Sequence, residues 1–415
     1  MTQIVAETPV ETPYHIPFAD RMTGLHNVAD ILVDRREEVL QVLYESCNHK
    51  TAAGEIEVAL AALAGAEQEV TGFRPPRLDQ LAVLMPSNIP LYSYVLYLLI
   101  PSLYTERLVF RPSGRIDSQL ERLHKLLGEA HRLPIRLRQT GQRDFLENDV
   151  ADSQVLVFTG SFENAEKIRP QLRKDQLFLY FGQGVNPFVV GPGADLGDAV
   201  DGAIRARMLN SGQDCFGPDV YFVHTSLSSQ FCNLLSRRVR SLKHGRYEDP
   251  TADYGSMYYL DAFEDAISHL MDNRSFILVG GRADLTESHL APTVLVRPVE
   301  SATNPPELFA PIFNVVPYTS GEWLHRTLRH QYFEERAMAA TVYGDEPELI
   351  ELLRRRHTVS LNATVADIEN GNEPFGGRGV RANYAAVGGV RHTEPLLISK
   401  AVADHLGPRL SGGAA

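Results

Sequence analysis

Apolar positions recur at three- and four-residue spacing through NVADILVDRREEVLQVLYES and again through EIEVALAALAGA, so the chain from Met22 to about Ala66 reads as helical. FRPPR breaks that pattern, and QLAVLMPSNIP reads as a short strand ending in a turn. The most apolar stretch, IPLYSYVLYLLIPSLY (residues 89–104), reads as a buried helix; it is too short to span a bilayer and prolines interrupt it. Apolar runs in ERLVFRPS, LPIRLRQ, QVLVFTGS, QLFLYFGQG and NPFVVG read as strands. Between them, DSQLERLHKLLGEA and SFENAEKIRPQLRK carry a helical period. Strand–helix alternation of this kind predicts a mostly parallel, doubly wound sheet.

A second α/β unit is expected from DLGDAVDGAIRARMLNSGQDC onward. DVYFVH, SFILVGG, PTVLVRPV and IFNVVPY read as its strands. SLSSQFCNLLSRRVRSL, YYLDAFEDAISHLMD, GEWLHRTLRHQ and EPELIELLRRR read as its helices. The expected organisation is an arm at 1–20, a first α/β domain at 21–190, a second at 191–375, and a terminal segment at 376–415 ending in a floppy tail. No internal repeat is visible.

Composition narrows the class. The chain has 415 residues, 44% of them hydrophobic and 22% charged, which is an ordinary globular balance with ample core. A net charge of −12 argues against bulk attraction to nucleic acid. The acidic, proline-rich start lacks the basic and apolar regions of a signal peptide, which leaves a cytoplasmic location as the default with no membrane association. Three widely separated cysteines, Cys47, Cys215 and Cys232, form no metal spacing and suit a reducing compartment; no metal is expected.

The candidate chemistry centres on NSGQDCFGPDVYFVH. Cys215 follows a helix and a Gly-Gln turn, which exposes a thiol on a tight loop, and a thiolate attacks carbonyl carbon well. Cys232 and Cys47 sit on amphipathic patterns and read as core. P-loop, HExxH and GxSxG motifs are missing, and the GxGxxA match at Gly377, Gly379 and Ala382 does not follow a strand.

Eight stretches fall in order: MPSNIP, VFRPSG, VFTGS, FGQGVNPFVV, NSGQDC, LAPTVL, ELFAPIF and EPFGG. In that order and spacing the chain resembles the aldehyde dehydrogenase superfamily from about Arg21 to Lys400. The resemblance implies a Rossmann-type dinucleotide-binding domain followed by a second α/β catalytic domain, with 376–415 returning to the first. It implies Cys215 as nucleophile, with the Asn88 side-chain amide and the cysteine's own N–H as oxyanion donors. It implies Gly160 and Ser161 beside the cofactor phosphates, Glu307 at the nicotinamide ribose, and Phe375 at the mouth of the active site.

Three departures from the family pattern shape the expected function. Hydrolytic members carry a water-activating glutamate before the NP pair. Here an ungapped alignment puts Phe181 there, and a one-residue gap puts Tyr180 there, so both are expected in the substrate pocket. Asp214 and Glu373 are carboxylates that could substitute, but nothing in the sequence positions them. At the adenosine end RPSG replaces a glutamate-bearing motif, so that Arg111, Ser113 and Arg115 are expected to favour NADP(H) over NAD(H) through a 2′-phosphate. Only about ten residues stand where the family has an oligomerisation hairpin, which argues against a tetramer and leaves a homodimer open.

The expected function is therefore an NADP(H)-dependent reductase of acyl thioesters, with acyl-CoA or an acyl carrier protein as partner. The rivals are an aldehyde dehydrogenase with an unrecognised base and a catalytically silent scaffold. A Cys-His hydrolase is weaker, since no histidine sits in a partner motif.

Overall fold

The structure is a computed structural model that describes residues 16–302 and 304–411. Two seven-stranded sheets organise it. The first is built on five parallel strands: β1 (Leu78–Leu84), β2 (Thr105–Arg111), β3 (Ile135–Leu137), β4 (Val155–Thr159) and β5 (Leu177–Phe181). The second contains β6 (Pro187–Val190), β7 (Val220–His224) and β8 (Ile277–Val279). A small hairpin, β9 (Ala283–Asp284) with β10 (His289–Leu290), precedes β11 (Thr293–Val296), β12 (Ile312–Tyr318), β13 (Ala339–Tyr343) and β14 (Thr358–Leu361). Then β15 (Asn383–Val387) and β16 (Val390–His392) add antiparallel to the first sheet beside β5. The strand orders are β16-β15-β5-β4-β1-β2-β3 and β14-β13-β6-β7-β12-β11-β8.

Because helices cover both faces of each sheet, the strands are apolar almost throughout. Side chains alternate between two cores. Leu81 and Val83 of β1 face one core of the first sheet, while Ala82 and Leu84 face the other. The second sheet divides in the same way, with Phe188 and Val190 of β6 on one face and Val189 on the other.

Several expected boundaries move. NPFVVG pairs with β7 and β13, so residues 187–190 belong to the second sheet and not to the first domain. The helical stretch resolves into Phe18–Asp34, Arg36–Leu43 and His49–Phe73, the last capped by the Asn48 side chain. The expected arm at 1–20 is therefore helical from Phe18, and residues 1–15 lie outside the described residues. The C-terminal helix Ile398–Ser411 runs well into the expected floppy tail; residues 412–415 lie outside the described residues. Among the described residues no helix is long and apolar enough to cross a membrane.

Candidate functional site

The loop before Cys215 is strained and tightly held. Asn210 (φ 44°), Ser211 (φ 58°) and Gly212 (φ 85°) stand in succession in the left-handed region, which two non-glycine residues rarely do together. A Cβ on Gly212 would lie 2.3 Å from the Ala310 carbonyl carbon, so glycine is required there. Hydrogen bonds fix the other two. Asn210 N–H donates to Thr51 Oγ1 (2.9 Å), and Gly255 N–H donates to Ser211 Oγ (2.9 Å). The Gln213 side chain accepts from the N–H groups of Tyr258 and Tyr259 (2.9 and 3.0 Å).

Beneath the loop lies a buried polar frame. Arg207, 1% exposed, donates to the carbonyls of Gly212 and Leu308 (2.6 Å each) and Pro218 (2.9 Å), tying the cysteine loop to the Glu307 loop. Asp219 lies 3.7 Å from that guanidinium and accepts from the N–H of Asn186 (2.9 Å). The Asn186 amide donates to the Cys215 carbonyl (2.7 Å). These residues position the loop that carries Cys215, and no sequence motif marked Arg207 or Asp219.

Asn88 sits in the turn after β1. The next residue, Ile89, adopts φ 44°, an uncommon conformation for a β-branched residue, immediately before the helix Pro90–Tyr94. That helix entry is pinned from outside: Tyr92 N–H donates to Glu55 Oε1 (3.0 Å). Burial pushes the Glu55 carboxyl up to about 7. The Tyr259 hydroxyl donates to the Ser87 carbonyl (2.6 Å), joining the second unit to the same turn.

Two cavities meet at this point. A cleft of about 650 Å³ opens at the C-terminal ends of β1, β2 and β4, where ligands of open α/β sheets bind. Arg111, Ser113, Arg115, Gly160, Ser161 and Glu307 all line it. A narrower tunnel of about 120 Å³ runs the other way, walled by Tyr97, Phe181, Phe375 and Leu397. Cys215 and Asn88 line both.

The cleft suits a dinucleotide. Glu307 Oε1 is buried without a hydrogen-bond partner among the described residues, as a carboxylate awaiting ribose hydroxyls would be. Burial, then Asp219, raises that carboxyl well above its usual range. Ser161 caps the helix Phe162–Ile168 and, with Gly160 and Asn164, forms the opposite wall. Arg111 is braced by the Thr140 carbonyl (2.7 Å), whereas Arg115 pairs with Asp261 across the cleft and lies over the Tyr259 ring.

The thiol of Cys215 is raised well above the ordinary range by burial and then by Asp214, Glu307 and Glu369. Its sulfur lies 3.9 Å from Asp214 Oδ1. Cys215 thus rests as a neutral thiol among carboxyl groups. Asp214 itself faces a separate small cavity with Thr51 and Glu55, and Glu373 is exposed at the tunnel mouth.

Tyr180 is not a pocket residue. Strand alternation turns it to the opposite face from Phe181, where it packs against Phe158 and Tyr384 and donates to the Arg381 carbonyl (3.0 Å). Phe181 faces the tunnel and packs on Tyr97 (ring centroids 5.3 Å apart). Sequence reading missed Glu369 and Tyr97. Glu369 lies just before EPFGG but belongs to no pattern, and Tyr97 is one apolar-run residue among many.

The sequence model of the Aldehyde dehydrogenase family matches residues 80–381. The chain is 26% identical over 291 residues to 4,4'-diapolycopene-4,4'-dial dehydrogenase of Cytobacillus firmus, covering 68% of this chain and 62% of that protein, less than two thirds of its length. It is 25% identical over 389 residues to 4,4'-diaponeurosporen-aldehyde dehydrogenase of Staphylococcus aureus, covering 86% of this chain and 83% of that one. Its fold matches glyceraldehyde-3-phosphate dehydrogenase GapN of Methanocaldococcus jannaschii, complexed with NADP, at a TM-score of 0.80 and 20% identity over 94% of this chain and 88% of that one. This chain belongs to the aldehyde dehydrogenase family, whose members are NAD(P)-dependent oxidoreductases that act on aldehydes.

Proposed function

We propose that this chain reduces acyl thioesters to aldehydes with NADPH, through an acyl group carried on Cys215. The observation that carries the reading is Phe181. An ungapped alignment sets Phe181 where a hydrolytic relative carries its water-activating glutamate, and its ring lines the tunnel wall against Tyr97. General-base help is typically worth ~10²–10⁴-fold, so an acyl group on Cys215 should resist water.

The acidic surroundings of Cys215 favour the same direction. Attack on a thioester consumes one thiol and releases another, so the proton leaving Cys215 passes to the departing thiolate and no net charge is created. A site that holds its thiol neutral loses little in such an exchange. Asn88, which lines both cavities beside Cys215, would donate to the oxygen as the carbonyl becomes tetrahedral. Glu307, Gly160 and Ser161 would hold the dinucleotide, which supplies hydride when reduced. Arg111, braced by the Thr140 carbonyl and without an ion pair among the described residues, is the better candidate reader of a 2′-phosphate; the GapN neighbour was crystallised with NADP. The acyl donor is then a phosphopantetheine thioester, on coenzyme A or on a carrier protein.

One observation favours a second reading, oxidation of an aldehyde to the acid. Glu369 lines the tunnel with its carboxyl pushed up to about 7 by burial, within the range of a general base. A purified-protein assay separates the two. NADPH oxidation by acyl-CoA thioesters, followed at the nicotinamide absorbance, supports reduction. Free acid made rapidly from aldehyde and NADP without added thiol supports oxidation.

A further inference from the structure

The tunnel beyond Cys215 is lined by apolar and neutral polar side chains, and Glu369 and Glu373 are its ionisable carboxyl groups among the described residues. Glu369 lies inside it and Glu373 at its exposed mouth. Among the described residues lining it there is no lysine, arginine or histidine. Glu369 is not an ordinary surface carboxylate. It is partly buried in the tunnel wall, where the Tyr92 hydroxyl is its hydrogen-bond partner and Asp214 acts on it as a like charge. Ionising a carboxyl in such a place costs several kcal/mol unless a cation or several donors meet it, and one phenol does not suffice. No described residue lining the tunnel supplies a cation, so Glu369 stays protonated unless a cationic ligand meets it.

We infer that the acyl group taken by the tunnel carries a protonated amine or guanidinium, held by Glu369 while the carbonyl lies at Cys215 and Asn88. Glu373 marks the same electrostatic preference at the entrance. A chain ending in a carboxylate meets two like charges and is rejected. The aromatic walls of Tyr97, Phe181 and Phe375 pack the methylenes between carbonyl and cation, and their electron-rich faces also favour a cation over an anion.

This inference rests on Cys215 as the acyl site, and it can be tested without turnover. The Cys215→Ala protein is titrated calorimetrically with short ω-aminoalkanamides, with alkanamides of equal length, and with the corresponding carboxylate-ended amides. The amino compounds should bind about 10- to 100-fold more tightly than the neutral ones, and the carboxylates should bind most weakly. In the same protein Glu369→Gln should collapse the amino preference to near unity. Equal binding of amino and neutral chains overturns the inference. With the intact enzyme, Glu369→Gln should lower the ratio of kcat/KM for ω-amino over neutral acyl thioesters about 10- to 100-fold. An equal fall for every chain, through kcat, overturns it and makes Glu369 a base. If amino chains bind selectively but no thioester is reduced, the ammonium site stands and the thioester reading fails.

Discussion

The cleft and the tunnel share Pro86, Asn88, Thr159, Gly182 and Cys215, yet they are built differently. The cleft lies at strand ends and is made largely of turns: the segment after β1, the one after β2, and Gly160–Ser161 after β4. Its ligand contacts depend on backbone direction, which the parallel sheet fixes. The tunnel is made of side chains brought from the helical stretch 90–99, from β5, from the segment 369–376 and from the start of the last helix. A parallel sheet tolerates few alternatives at its strand ends, whereas a wall of side chains changes by single substitution. Chemistry common to many substrates is therefore lodged in the cleft and at the shared turn, and discrimination among substrates in the tunnel.

The largest effect should come from the shared residues. Cys215→Ala should lower turnover by more than ~10³-fold and leave dinucleotide affinity nearly unchanged, because the cleft keeps its other walls. Cofactor titration beside steady-state rates checks both halves. Asn88→Ala removes one oxyanion donor and should cost ~10²–10³-fold in kcat with a small change in KM.

Glu55 tests whether the turn common to both cavities is held from behind. Its folded-state carboxyl titrates at about 7, above the ordinary carboxylate range, because burial disfavours the charge. The folded state thus holds this proton more tightly than the unfolded chain does. Stability from it is complete below about pH 4 and is lost as pH rises through 7. A shift of that size corresponds to roughly 3 kcal/mol between pH 4 and 8. Urea denaturation should show Glu55→Gln losing less stability than the parent over that range. Glu369 and Asp219, which also titrate at about 7, and Glu307, raised by burial, add to the slope that remains.

Smaller effects separate the two cavities. Arg111→Ala should weaken NADPH about 10- to 100-fold and NADH much less, a change confined to the cleft. Arg115→Ala should do less, since Asp261 already engages that guanidinium. Fluorescence titration with each cofactor decides between them, and equal losses for both cofactors would show that neither arginine reads the phosphate. Phe181→Glu, a change confined to the tunnel, should raise acid release from aldehyde by less than about tenfold, because an enclosed carboxyl stays partly protonated.

How far the sequence spoke follows the same division. Strand–helix alternation and eight ordered motifs sufficed for the two-sheet fold, and the turn motifs led to Cys215, Asn88, Gly160, Ser161 and Glu307, all of which line the cleft. Strand β13 escaped notice because AATVY is short and alanine-rich, and its place beside the edge strand of the second sheet is set by tertiary pairing with β6 and β14. The ungapped alignment pointed to Phe181 and a one-residue gap to Tyr180; the register of β5 decides that Phe181 faces the tunnel. Arg207 and Asp219 gave no signal, because a buried ion pair set by tertiary packing has no local pattern. Glu369 belongs to no motif, and only the fold brings it to the tunnel.

The central claim is that an acyl group on Cys215 is released by hydride or by a thiol and not by water. The most direct measurement is intact-protein and peptide mass spectrometry after mixing the enzyme with an acyl-CoA in the absence of cofactor, followed by a chase. The account predicts an acyl adduct on Cys215, absent from Cys47 and Cys232, that persists in buffer and disappears with aldehyde formation when NADPH is added. An adduct that decays to free acid as fast in buffer as with NADPH, or no adduct while aldehydes are oxidised rapidly to acids, would contradict it.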